Sequence, residues 1–116
     1  MSTFETARQL ALALPEVEEG TSYGAPAFKV RGKLFARLRE EGVLVVKVDL
    51  GYQEALLRTA PDTYFITPHY AGYPYVLVRL ARVDREELRG LLAEAWRLSA
   101  PKRLVADLAA RGSWAS

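Results

Sequence analysis

Apolar residues recur along this chain with two periods, and the switches between them mark out its elements. Phe4, Ala7, Leu10, Ala11 and Leu14 fall three or four apart, the spacing of one helical face. Ser2 and Glu5 make a capping box, with Thr3 a competing cap. The pattern predicts a helix from about Thr3 to Ala13. Pro15 closes it, because the residue before a proline avoids the helical region. The polar stretch that follows predicts a strand through Glu18–Tyr23. From Pro26 onward the period becomes two. Phe28 and Val30 alternate with Lys29 and Arg31; Leu34, Ala36 and Leu38 alternate with Lys33, Phe35, Arg37 and Arg39. These are strands with one buried face.

Directly paired residues share a face, so a register follows. Pairing Phe28 with Leu34 sets Lys29 opposite Lys33 and leaves Val30-Arg31-Gly32 as a three-residue loop ending in glycine. Glu40-Glu41-Gly42 repeats the device, pairing Leu38 with Leu44 and Ala36 with Val46. The predicted meander has Phe28, Leu34, Ala36, Leu38, Leu44, Val46 and Val48 on its inner face. A short helix over Tyr52–Thr59 ends at Pro61-Asp62. Strands Tyr64–Thr67 and Tyr75–Leu80 follow, joined by a loop rich in tyrosine and proline. Asp84 and Glu87 begin another helix, with Leu88, Leu91, Leu92, Ala95, Trp96 and Leu98 on one side. Pro101 opens a last helix with Leu104, Val105, Leu108 and Ala109 as its stripe, ended by Arg111-Gly112 before the tail Ser113–Ser116. Helices and strands in this order predict an α+β fold, an antiparallel sheet with helices packed on one face. With 116 residues, the chain reads as one domain, residues 1–116.

Half the residues are hydrophobic and 26% are charged, which suffices for a core. Cysteine is absent, excluding disulfides, zinc-thiolate sites and a thiol nucleophile. Neither a signal peptide nor a membrane span is recognisable, and the expected compartment is the cytoplasm. A net charge of +2 permits nucleic-acid binding without demanding it.

No phosphate-binding glycine loop or zinc-protease motif is present, so no catalytic residue, metal ligand or cofactor is assigned. His69 reads as a loop histidine packed among tyrosines. Glu16, Glu18, Glu19, Glu40 and Glu41 read as solvated turn acids, and Trp96 as core. The predicted outer face of the meander carries Lys29, Arg31, Lys33, Phe35, Arg37, Arg39 and Lys47, with Val43 and Val45. Cations around an exposed aromatic suit a nucleic-acid backbone. Lys102 and Arg103, in the first turn of the last helix, oppose its dipole; either their long side chains bend away into water or an anion bound at the helix start offsets the cost.

The stretch Leu14-Pro15-Glu16-Val17-Glu18-Glu19, then Tyr23 to Ala36, resembles the MmcQ/YjbR family. So do Lys47-Val48-Asp49, Thr67-Pro68-His69-Tyr70, the strand Tyr75–Leu80, and Ala95-Trp96-Arg97 with Ala100-Pro101-Lys102. The resemblance implies a fold similar to the frataxin-like and double-wing DNA-binding arrangements. A first helix with only Glu5 as its acid argues against frataxin-like iron binding. The hairpin around Gly32 stands where a wing would be.

The expected function is weak, largely non-specific DNA binding through Lys29, Arg31, Lys33, Phe35, Arg37, Lys102 and Arg103. The alternative is a protein-interaction module docking a partner through Phe35, Val43 and Val45 or through the tyrosine loop. An enzyme using Tyr23, His69 and Tyr73 comes third.

Overall fold

A computed structural model describes residues 1–110; the expected end of the last helix at Arg111-Gly112 and the tail beyond lie outside the described residues. The elements are α1 (Phe4–Leu12), β1 (Val17–Ser22), β2 (Ala25–Val30), β3 (Lys33–Glu40), β4 (Val43–Lys47), α2 (Leu50–Thr59), β5 (Tyr64–Phe65), β6 (Tyr75–Arg79), α3 (Arg85–Ser99) and α4 (Lys102–Ala110). The strands form a six-stranded sheet in the order β1-β2-β3-β4-β6-β5, and every pair is antiparallel. The fold is α+β, as the pattern predicts.

Capping is settled by which side chain can reach the helix. Thr3 caps α1: its hydroxyl accepts from the Thr6 amide at 3.2 Å, and the Thr6 hydroxyl accepts from the Thr3 amide at 3.1 Å. Ser2 is drawn instead into the core, where its hydroxyl donates to the Val83 carbonyl at 2.8 Å. Asp49 caps α2 and Asp84 caps α3. The Glu87 carboxylate does not complete a capping box with Asp84. It accepts from the Tyr64 hydroxyl at 2.5 Å, tying α3 to β5.

One core joins the helices to one face of the sheet. Ala7, Leu10 and Ala11 of α1 and Leu88, Leu91, Leu92, Ala95 and Trp96 of α3 meet Phe28, Val30, Leu44, Val46, Val76 and Val78. Apolar residues of α2 and α4 pack against the same cluster. Trp96 is fully buried, and its indole N–H donates to the Pro15 carbonyl at 2.9 Å.

The register of the β2–β3 hairpin departs from the expected one. Lys29 pairs with Leu34 and Val30 with Lys33, so the turn is only Arg31-Gly32. Both residues are left-handed, with φ of 51° and 81°, the requirement of a type I′ turn, whose twist suits a hairpin. The residue released from the loop reappears as a bulge. Phe28 pairs with Ala36, leaving Phe35 as the extra residue of β3. Phe35 and Ala36 therefore both face the helices, and Phe35 has no exposed surface. Burying that ring stabilises the fold by roughly 1.5–3 kcal/mol, which a strictly alternating β3 would forgo. Leu34 moves to the other face. The second hairpin behaves alike: Leu38 pairs with Leu44 and Glu40 with Val43, so Arg39 is extra and the turn is Glu41-Gly42.

The outer face of the sheet is not bare. The β5–β6 connection crosses it, with a 3-10 turn over Pro68–Tyr70. Tyr70, Val45 and Leu77 form a second, smaller core there, flanked by Val43, Phe65, Ile66 and Tyr75. The Gln53 amide of α2 anchors the end of this connection, donating to the Tyr73 and Tyr75 carbonyls at 2.9 and 2.7 Å.

Candidate functional site

The outer face holds an open cleft of about 700 Å³ lined by Tyr23, Leu34, Arg37, Arg39, Val45, His69, Tyr70 and Tyr75 among others. Its floor comes from β3 and β4. One wall is the β1–β2 turn, the other the β5–β6 connection. A smaller cavity of about 320 Å³, lined by His69, Tyr70, Tyr73 and Tyr75, adjoins it.

Tyr23 owes its place to its turn. Ser22 pairs with Ala25, so Tyr23-Gly24 is a two-residue turn, and both residues are left-handed, at φ 53° and 78°. An aromatic residue is unusual in a position that favours asparagine, aspartate or glycine. Tyr23 is 93% exposed, so burial does not offset the strain. The Arg37 guanidinium lies 5.4 Å from the centre of its ring. On its other side Arg37 donates to the Tyr70 hydroxyl at 2.7 Å. That is the one hydrogen bond its five donors make among the described residues. The His69 ring meets Tyr70 edge-on at 5.0 Å, and Tyr70 meets Tyr75 at 6.1 Å. A cation is thus held in place among aromatic rings at the mouth of a cleft. Such a site can take a flat π face and an anion together.

The expected binding residues do not share one surface. Lys29 and Arg37 lie on the outer face, Arg37 paired with Ala27, two residues from Lys29. Lys33 pairs with Val30 and so falls in the row of the helix-side face. Arg31 is in the turn, where its guanidinium forms two bonds with the Glu16 carboxylate. This hydrogen bonding, above all, holds the Glu16 carboxyl below its ordinary value. Phe35 is in the core. Lys102 and Arg103 begin α4, whose apolar side packs on the helix-side core, across the sheet from the cleft. The one-residue shift into the bulge accounts for Phe35 and Lys33; the docking of α4 on the helices accounts for the other two. As partner-docking residues, Val43 and Val45 do lie outward, but Tyr70 already covers Val45.

Tyr23, His69 and Tyr75 gather at the cleft, while Tyr73 lines the smaller cavity. Tyr64, close in sequence, faces the opposite core. The signal for Tyr23 was legible in the Tyr-Gly pair between two strands, a turn dipeptide with an aromatic in place of asparagine. Among the described residues no cluster of three or more histidine, aspartate, glutamate or cysteine side chains could hold a metal. No described helix is long and apolar enough to cross a membrane.

A family model described as YjbR matches residues 12–98, a span that contains every cleft residue named above. The chain belongs to the YjbR family. Lys102 and Arg103 fall outside the matched span. Uncharacterized proteins of Mycobacterium bovis (Mb2600) and Mycobacterium tuberculosis (Rv2570) are each 51% identical over 57 residues. That alignment covers 49% of this chain and 44% of each relative, so the chain spans less than half the length of the curated relatives it matches. The YjbR fold also matches the crystal structure of Deinococcus radiodurans protein DR2400, described as a DUF419 domain. The TM-score is 0.73 at 25% identity, covering 84% of this chain and 78% of that one.

Proposed function

We propose that this YjbR domain binds nucleic acid weakly and with little sequence preference, through the outer face of its sheet. The observation that supports this best is a row of strand cations. Lys29, Arg37, Lys47 and Arg79 belong to β2, β3, β4 and β6, which are neighbours in the sheet. The register puts all four on one face, since Arg37 pairs with Ala27 and Val45, and Val43 pairs with Arg79. The strand acids on that face stand at its margins: Glu18 beside Lys29 on the edge strand, and Glu40, which bonds Arg39 at 3.0 Å. Strands about 4.8 Å apart distribute such charges along a polyanion. Phosphate contacts fix position without reading sequence. The reading carries with it a cytoplasmic location and a binding rather than catalytic role.

Three or four phosphate contacts imply a log–log salt slope of roughly −2.7 to −3.6, and an affinity loss of roughly 40- to 150-fold between 50 and 200 mM salt. Fluorescence anisotropy with labelled DNA, for the wild type and Lys29/Lys47/Arg79→Glu, tests it. No binding at low salt, or equal binding by the variant, sinks the proposal. A second reading, a docking site for a protein partner, is favoured by the exposure of Tyr23 and Tyr73, a residue type enriched at interfaces. A tight partner insensitive to salt would put that reading first.

A further inference from the structure

Resting on the nucleic-acid reading, we infer that the cleft between the Tyr23 turn and the β5–β6 connection takes an unpaired nucleotide, so that the domain prefers single strands to duplex. A duplex hides its base faces in the stack and offers a convex surface of phosphates. Contacts to it would use the cations of the sheet and leave the cleft idle. A single strand offers a π face and a phosphate from each unit.

The cleft answers both halves of that unit. Its volume of about 700 Å³ falls in the range of roughly 300–1,000 Å³ usual for small-ligand sites. Tyr23 presents a ring that is 93% exposed. It does so from a left-handed turn position at φ 53°, where its side chain gains nothing from burial. A base stacked on that ring would give the strained residue a use. Arg37 is the anion partner. Tyr70 fixes it at 2.7 Å, and Tyr70 is itself seated in the second core, so little of the guanidinium's freedom remains to be lost on binding. The other wall, His69 and Tyr75, adds ring surface for a flanking base.

The probes are a labelled single-stranded 12-mer of thymidine, a labelled 12-base-pair duplex, and unlabelled thymidine monophosphate as competitor. The expected result is tighter binding of the single strand. Tyr23→Ala should weaken it roughly 5- to 160-fold, the range for loss of one base–aromatic stack, and leave duplex binding unchanged. Tyr23→Phe should keep wild-type affinity, which separates stacking from hydroxyl chemistry. Since Tyr23 is on the surface, neither variant should unfold, and circular dichroism checks this. Equal, salt-dependent binding of both forms with no effect of Tyr23→Ala overturns the single-strand inference and leaves the nucleic-acid reading standing. Binding of neither form removes both. Competition by the monophosphate at the same nucleotide concentration as the 12-mer overturns the strand as the ligand.

Discussion

Arg37 of β3 donates a 2.7 Å hydrogen bond to the hydroxyl of Tyr70, a residue brought across the sheet by the β5–β6 connection. The bond joins the floor of the cleft to its wall and fixes the cation in the site. Tyr70→Phe keeps the ring in the second core and removes only this acceptor. We expect a stability loss of about 1 kcal/mol, read as a lower urea midpoint with an unchanged slope. Single-strand binding should weaken too, because Arg37 is then free to swing into solvent. Unchanged stability and unchanged binding would show that the bond does not position Arg37.

Phe35→Ala distinguishes the bulged register from an alternating strand. With the ring fully buried, its removal should cost about 3–5 kcal/mol. A surface phenylalanine would change stability by no more than about 0.5 kcal/mol. Leu34→Ala, at a half-buried position on the cleft side, should cost distinctly less than Phe35→Ala in the same urea titration.

Tyr23→Asn sets stability against binding. Asparagine tolerates the left-handed backbone at φ 53° better than tyrosine does. The variant should therefore melt no lower than wild type, and higher if strain relief exceeds the lost Arg37–ring contact, while binding the single strand more weakly. A clear fall in melting temperature would show that Tyr23 is a structural residue.

Tyr64 gives the fold an alkaline limit. Burial first, then its hydrogen bond to Glu87 and the charge of that carboxylate, push its hydroxyl pKa far above the ordinary 10.0. The folded state thus holds this proton more tightly than the unfolded chain. That stability is fully present below pH about 10 and declines as pH rises beyond it, since the unfolded state ionises first. Unfolding titrations from pH 8 to 11 should show the decline, at roughly those values. Tyr64→Phe should flatten it, and an equal slope in the variant would remove Tyr64 as the cause.

Trp96→Ala should cost about 3–5 kcal/mol, measured by chemical denaturation. The residue joins α3 to the loop after α1 through its bond to the Pro15 carbonyl. A loss under about 0.5 kcal/mol would put the indole outside the core.

Much of the fold was legible in the chain itself, because local periodicity decides which side of an element is apolar. The spacing of Leu88, Leu91, Leu92, Ala95 and Trp96 fixed the buried side of α3, and the same five residues sit in the core. The pairings Leu38–Leu44 and Ala36–Val46 followed from the rule that partners share a face, and both occur. Gly32 and Gly42 marked the turns, and both are left-handed. What the period could not carry was a single inserted residue. Whether the first residue of each expected loop, Val30 or Glu40, stays in the turn or pairs in the ladder and pushes a neighbour into a bulge depends on what lies across the sheet. The helix-side core had room for the Phe35 ring, and its burial decided for the bulge. That one-residue choice moved Leu34 outward, Phe35 inward and Lys33 off the row of Lys29 and Arg37. The cleft was likewise invisible in sequence. Tyr23, Arg37 and Tyr70 are separated by 14 and 33 positions along the chain, and only closure of the sheet, with the β5–β6 connection laid across its outer face, sets their side chains together.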